Sequence, residues 1–216
     1  MVNGRAAAIG ELIDPARDDV TVDGRRIAAS EARTTILLNK PAGYLVSRRD
    51  PHHSRTVYEL LPADLRHLVP VGRLDLNSEG ALLMTDDGRL AELLTHPRYR
   101  VPKVYRAVVA GRPGVEAVER LRGGVTIDGV PTGCAEVRLV RQEAGEAELE
   151  LVLREGRKRQ VRRMCDAVGH PVRRVRRIAF ARVPLEDLPA GRWRRLDEAE
   201  VAALRALGEP SDDRRD

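Results

Sequence analysis

Asp75 is the side chain of this protein best placed to do chemistry, because it stands between Arg73 and a glycine-bearing turn, within the run Val71 to Gly88, VGRLDLNSEGALLMTDDG. A carboxylate that is held rigidly and kept ionised can attack an electrophilic carbon or remove a proton. Arg73 lies two residues before Asp75, so on an extended backbone both side chains leave the same face and the guanidinium favours the ionised acid. Taken alone, an R-x-D pair reads as a structural ion pair at a turn.

A second stretch concentrates charge. Arg154 to Arg177 carries ten Lys and Arg against two acids. Within it, Val161, Met164, Cys165 and Val168 recur at helical spacing, which predicts a helix that buries this stripe and ends at Gly169, with Arg163 facing away and Arg162 at the rim. Cations at a helix start oppose the helix dipole by ~0.3 to 1 kcal/mol each when exposed. An anion there would reverse the balance, so Arg157 and Arg159 are candidates for the phosphates of an RNA backbone. From charge alone, the segment reads as a solvated face.

A third candidate is aromatic. Tyr105 follows Lys103 in a strand-like run, and it is one of only six Phe, Trp and Tyr residues, too few for a surface that stacks rows of bases. A lone tyrosine on a strand is ordinarily core, yet its ring could also stack on one base taken out of a helix.

These pieces together resemble the RNA pseudouridine synthases of the RsuA/RluB branch. Gly72, Arg73, Leu74, Asp75, Ser78, Gly80 and Leu82 match G-R-L-D-x-x-[ST]-x-G-L-L, with Ala81 in place of the first of the paired leucines. Glu155 to Met164 resembles E-G-R-x-R-Q-V-R-R-M, Lys103 to Tyr105 the K-x-Y strand, and Asn39 to Gly43 the N-K-P-x-G opening of the catalytic domain. The resemblance implies that a uridine is isomerised without a cofactor or metal. The N1–C1′ bond breaks, the uracil turns, and C5 bonds to C1′. It makes Asp75 the catalytic residue, acting on the ribose either at C1′ or at the C2′ proton. Arg73, Lys103, Tyr105, Arg157, Arg159 and Arg162 become substrate-binding residues, with Arg162 in direct ion pairing to Asp75. Ribosomal RNA is the implied partner. Thr95 to Tyr99 and Ser78 to Gly80 look like the large-subunit (RluB) side, whereas Leu83 to Gly88 fits the small-subunit (RsuA) side equally well. A non-catalytic RNA-binding assembly factor on the same fold is the alternative from another class.

The elements that must position these groups alternate in type. A short strand at Leu68 to Val71, a turn over Asn77 to Gly80 and a strand over Ala81 to Met84 frame Asp75, and a helix capped by Thr85 or Asp86 follows. Asp128-Gly129 predicts a hairpin, the alternation at Leu149, Leu151 and Leu153 a half-buried strand, and Asp197 with Glu200 a capping box. The expected class is α+β, with a mixed, mainly antiparallel sheet flanked by helices. Residues 31–207 are expected to form the catalytic domain and 208–216 a flexible tail. Residues 1–30, with the turn signals Asn3-Gly4 and Asp23-Gly24, resemble the second half of an S4 RNA-binding unit. The helical first half is expected to be missing, since Met1 immediately precedes Val2.

With 216 residues the chain can hold one medium domain and a small attachment. Its net charge of +5, carried mainly by arginine, suits a nucleic-acid partner. Cys134 and Cys165 lack metal-ligand spacing and read as small buried residues, and the five histidines form no metal or hydrolase motif. No apolar run approaches membrane-spanning length, so a cytoplasmic monomer is expected.

Overall fold

The computed structural model describes residues 1–11, 13, 14, 17–26 and 33–208. Two compact units divide at Arg33 and Thr34. In the first, Val2 is buried and bridges Arg5 and Val20, and the strands β1 (Thr21–Val22) and β2 (Arg25–Arg26) form a hairpin. Both turn signals close two-residue turns, with positive φ at Asn3 and Gly4 and at Asp23 and Gly24. Residues 27–30 of the expected S4-like unit, and the expected tail beyond Gly208, lie outside the described residues.

The second unit opens with β3 (Thr35–Lys40), followed by β4 (Val69–Pro70), β5 (Ser78–Thr85), helix α1 (Gly88–Thr95) and β6 (Lys103–Ala110). Helix α2 (Val115–Gly123), the hairpin β7 (Thr126–Ile127) and β8 (Val130–Pro131), and the long hairpin β9 (Glu136–Glu143) and β10 (Glu146–Leu153) come next. Helix α3 (Gln160–Ala167), β11 (Val172–Phe180), β12 (Val183–Pro184), β13 (Trp193–Arg195) and α4 (Glu198–Arg205) complete it. The main sheet has the order β13-β3-β5-β11-β6-β10-β9, and β5 with β11 is its parallel pair. This is the expected mixed, mainly antiparallel sheet with flanking helices.

The two halves of the sheet are buried differently. All six residues of β3 are buried, with Ile36 and Leu38 in one apolar cluster and Leu37 in another, so both faces are covered. Strand β10 instead alternates, with Ala147, Leu149, Leu151 and Leu153 packed against Val118 and Leu121 of α2 and Val161 and Met164 of α3. Tyr105 packs against the cluster under α2 and α3 and also against the one around Ile36 and Leu38. It therefore stands at the seam of the sheet, where the parallel pair meets β6.

Several local expectations shift. The turn after Asp75 is tighter than Asn77 to Gly80, because β5 already begins at Ser78. Gly80 lies inside that strand at φ +107°, and a Cβ there would sit 2.1 Å from the Arg177 carbonyl oxygen, so only glycine permits the β5–β11 pairing. The cap of α1 is Asp87, whose carboxylate accepts the Leu90 N–H at 3.1 Å, rather than Thr85 or Asp86. Cys165 is buried as expected, and its thiol is pushed up to about 12 by burial, but Cys134 is exposed. Asp197 and Glu200 form the expected capping box.

Candidate active site

A cavity of about 700 Å³ opens where β5, β6 and β11 meet the segment before α3. Asp75, Arg73, Tyr105, Lys103, Arg157, Arg159 and Arg162 all line it. Residues spread over ninety positions of sequence are thus brought to one place by the central strands. The two long motifs face each other across it.

The loop that carries Asp75 is held from below by a residue the sequence left among the N-K-P run. Lys40, at the end of β3, is fully buried, and its ammonium donates to the carbonyls of Pro41 at 3.0 Å, Asp75 at 3.2 Å, Leu76 at 3.2 Å and Ser78 at 2.8 Å. Burial brings its pKa down to about 8, against the pull of Asp75 and Glu79. Further bonds run from the Ser78 N–H to the Asp75 carbonyl at 3.0 Å and from the Gly43 N–H to the Leu76 carbonyl at 2.9 Å. The carboxylate therefore projects from backbone that is pinned on several sides.

The cations around Asp75 are arranged otherwise than their spacing implied. Among the described residues Arg73 forms no ion pair with Asp75, because residues 73 to 75 are not in an extended strand, and Arg73 is exposed at the cavity edge. Arg162 also stops short of an ion pair. Its guanidinium donates to the Val172 carbonyl at 2.9 Å and the Asn77 carbonyl at 3.1 Å, so it fastens α3 to β11 and to the turn two residues beyond Asp75. Its Nε is buried with no partner. Arg157 donates to the carbonyls of Val130 and Pro131 at 3.2 and 2.6 Å and lies 3.5 Å from Glu155, which ties it to the β7–β8 hairpin. Arg159, in the left-handed conformation that starts α3, is exposed, and its guanidinium has no hydrogen-bonded partner among the described residues. Arg163 faces away from the buried stripe, as expected, and pairs with Asp128.

Two cations at the back of the cavity complete the site. Arg177 is 1 % exposed, donates from Nε to the Ala81 carbonyl at 2.6 Å, and lies 4.9 Å from the centre of the Phe180 ring, while its Nη2 is buried without a partner. Lys103 Nζ lies 5.5 Å from the same ring and donates to the Val101 carbonyl at 3.0 Å. Burial, with help from Arg177, lowers its pKa to about 8. Lys103 stands in the K-x-Y run, whereas Arg177 follows the E-G-R-x-R-Q-V-R-R-M run and carries no motif of its own. The signal was present: Val175 and Arg177 share one face of a strand, and Val175 is buried in the core. Among the described residues no cluster of three or more His, Cys, Asp or Glu could hold a metal ion. No helix among them is long and apolar enough to cross a membrane.

A sheet that seats Asp75, one tyrosine and several cations in a shared cavity defines a class, and comparison with known proteins agrees on which. Residues 34–167 match the family described as RNA pseudouridylate synthase. An uncharacterised RNA pseudouridine synthase of Aquifex aeolicus is 39 % identical over 96 % of this chain and 84 % of its own length. The ribosomal large subunit pseudouridine synthase B of Bacillus subtilis is 33 % identical over 96 % of this chain and 86 % of its own. Its Pseudomonas aeruginosa counterpart is 37 % identical over 94 % of this chain, which spans about half (54 %) of that longer protein. A crystal structure of a pseudouridylate synthase superposes with a TM-score of 0.75 at 27 % identity, covering 94 % of this chain and 87 % of the other. The chain belongs to the RNA pseudouridine synthases, isomerases of uridine in RNA, and within them to the RsuA/RluB family.

Proposed function

We propose that the protein converts a uridine of large-subunit ribosomal RNA to pseudouridine, with Asp75 as the catalytic residue. The observation that carries this reading is the convergence of Asp75, Tyr105 and Arg162 on one cavity, in a chain whose relatives include large-subunit enzymes. The target uridine leaves its helix or loop at a cost of a few kcal/mol and enters the cavity. Tyr105 stacks on the uracil. Asp75, pinned by the Lys40 cage, acts on the ribose as the N1–C1′ bond breaks; after the base turns and C5 bonds to C1′, C5 loses a proton and N1 gains one. Nothing is consumed.

The cations divide the remaining work. Arg162, on the same cavity wall, steadies the Asp75 loop through Asn77 and turns to the carboxylate or to the RNA once substrate is bound. Exposed Arg73 and Arg159 meet phosphates, Arg157 holds the β7–β8 hairpin beside them, and Lys103 offsets charge on the substrate within the cavity. Mapping pseudouridines across ribosomal RNA from cells with and without the protein tests the reading. Loss of one site from the large-subunit RNA is the expected result. Loss from small-subunit RNA would correct the substrate, and no loss from either would reject the activity on ribosomal RNA.

A further inference from the structure

Beyond the cavity, the same stretch of chain that forms part of its wall builds a second positively charged cleft. Leu45 and Val46 line the Asp75 cavity. The chain then leaves in a loop whose ends are clasped by a parallel bridge from Leu45 to Thr56, with the Leu45 N–H on the Arg55 carbonyl at 3.0 Å and the Val57 N–H on the Leu45 carbonyl at 2.9 Å. Arg48 and Arg49 on this loop, with Arg66, Thr56, Tyr58 and Glu59, line a cleft of about 580 Å³.

The arginines of this cleft differ from those that are matched by carboxylates elsewhere on the surface. Arg106, Arg138, Arg154, Arg173 and Arg205 each form an ion pair with a carboxylate. Among the described residues, Arg48, Arg49 and Arg66 form none. Arg48 is nevertheless fixed: its two Nη groups donate to the carbonyls of Arg66 and His67 at 3.1 and 3.0 Å, and its guanidinium lies 4.9 Å from the centre of the Tyr58 ring. Among the described residues, Arg66 spends only its Nε, on the Leu61 carbonyl at 3.1 Å, and the exposed Arg49 side chain makes no hydrogen bond. The one acid, Glu59, has an oxygen occupied by the Thr56 N–H at 3.0 Å. The cleft is therefore positive, preorganised and supplied with unused guanidinium donors.

We propose that this cleft is a second phosphate-binding site, which holds the RNA backbone beside the nucleotide whose base occupies the Asp75 cavity. Its chemistry selects phosphate over a base, because the accessible aromatic face of Tyr58 is already covered by Arg48 and no other ring lines the cleft. Its position selects the same RNA strand. Arg49 lies three positions beyond Val46, at most about 10 Å at roughly 3.3 to 3.6 Å per residue, a reach of no more than about three nucleotides at roughly 3.4 Å of rise each. The site deepens the proposed function, and its test is kept independent of activity.

The probe is an oligouridylate of ~16 nucleotides, bound to the full-length protein over a series of salt concentrations. Arg49→Glu and, separately, Arg66→Ala are compared with wild type and with Arg112→Glu, a charge reversal at an exposed arginine beyond the far end of β6. Both cleft variants are expected to melt as wild type does. Arg49→Glu should bind ~10-fold more weakly at low salt, and each variant should lose roughly one unit of the salt slope, while Arg112→Glu keeps the wild-type slope. Unchanged slopes in both cleft variants would overturn the proposal, and so would an equal loss in Arg112→Glu, which would reduce the effect to net charge. Should the wild type modify no ribosomal RNA, the activity reading fails while this binding result stands on its own.

Discussion

The main sheet carries two sets of cations, and they obey opposite rules. Near the surface, Arg106 meets Glu150 at 2.9 Å and Glu148 at 3.7 Å, Arg138 meets Glu150 at 2.8 Å, and Arg173 meets Glu146 at 3.3 Å. These side chains alternate with the buried residues of β6 and β10, so they cover the face away from α2 and α3. At the seam of the sheet, Lys40, Lys103 and Arg177 are buried or nearly so, and among the described residues none has a carboxylate within ion-pairing distance. Their partners are carbonyls and the Phe180 ring. A matched pair near the surface is worth little and costs little. A buried cation without a counterion costs several kcal/mol before its hydrogen bonds offset it. The expensive set surrounds Asp75, which is where a protein that handles an anionic polymer gains most from fixed positive charge.

The largest expected effect tests whether that arrangement serves Asp75 at all. Asp75→Asn keeps the side chain's size and removes its charge, so the variant should fold normally and form no detectable pseudouridine under single-turnover conditions with excess protein. Activity within about tenfold of wild type, against the ~10³-fold or greater loss typical of a lost catalytic group, would take Asp75 out of the chemistry and leave the buried cations unexplained.

Next in size is Lys40. Replacing it by Met keeps the volume but removes the charged donor shared by the carbonyls of Pro41, Asp75, Leu76 and Ser78, where a hydrogen bond to a charged group is worth about 1.5 to 3 kcal/mol. Lys40→Met should therefore lose roughly 3 kcal/mol in urea unfolding, and should lose turnover even under conditions where it is fully folded. A stable, fully active variant would place the ammonium outside the positioning of Asp75.

Tyr105 comes third, since the core and substrate readings of this residue give different results. Tyr105→Phe preserves the packing of the seam, so it should melt within a few degrees of wild type, bind RNA normally and turn over more slowly if the hydroxyl assists proton transfer at C5. Tyr105→Leu should weaken binding by ~1 to 3 kcal/mol of stacking. Wild-type turnover in the Phe variant would leave stacking alone, and full activity in the Leu variant would reject both roles.

The pH dependence should separate function from stability within the inner set. Lys40 and Lys103 are both brought from 10.5 to about 8 in the folded state. Above pH 8 the native protein loses protons that the unfolded chain still holds, so the contribution of these lysines to unfolding free energy rises with pH. Cys165, raised from 9.0 to about 12, contributes in the opposite direction once the unfolded thiol ionises near pH 9. Between about pH 8 and 9, then, stability should hold or rise while the single-turnover rate falls as the site loses positive charge. Parallel pH series of urea unfolding and single-turnover rates measure both. A rate that is flat across this interval would mean that neither ammonium charge matters to the reaction.

The smallest effect belongs to the outer set. Arg138→Ala breaks an exposed pair with Glu150, which keeps Arg106 as a partner, so stability should change by less than ~0.5 kcal/mol and activity not at all. A loss approaching that of Lys40→Met in the same unfolding assay would erase the distinction between the two sets.

The sequence by itself determined much of this. Short motifs in the right order named Asp75, Tyr105 and the α3 segment, apolar periodicity located α3 and the half-buried β10, and the Asp128-Gly129 pair marked its hairpin. Those features are local, since each depends on residues within a turn or two of one another. Tertiary structure decided the partners. That Arg162 would bond the Asn77 carbonyl, eighty-five residues away, rather than the Asp75 carboxylate, depends on how far α3 stands from the β5 turn. That Lys40 would gather four carbonyls depends on β3 lying beside β5, and that Gly80 must lack a side chain depends on Arg177 of β11 arriving parallel to it. Spacing along the chain fixes which face a side chain leaves by. Only the pairing of distant strands fixes what it meets there, because the energy of a buried cation is set by acceptors that come from other parts of the chain.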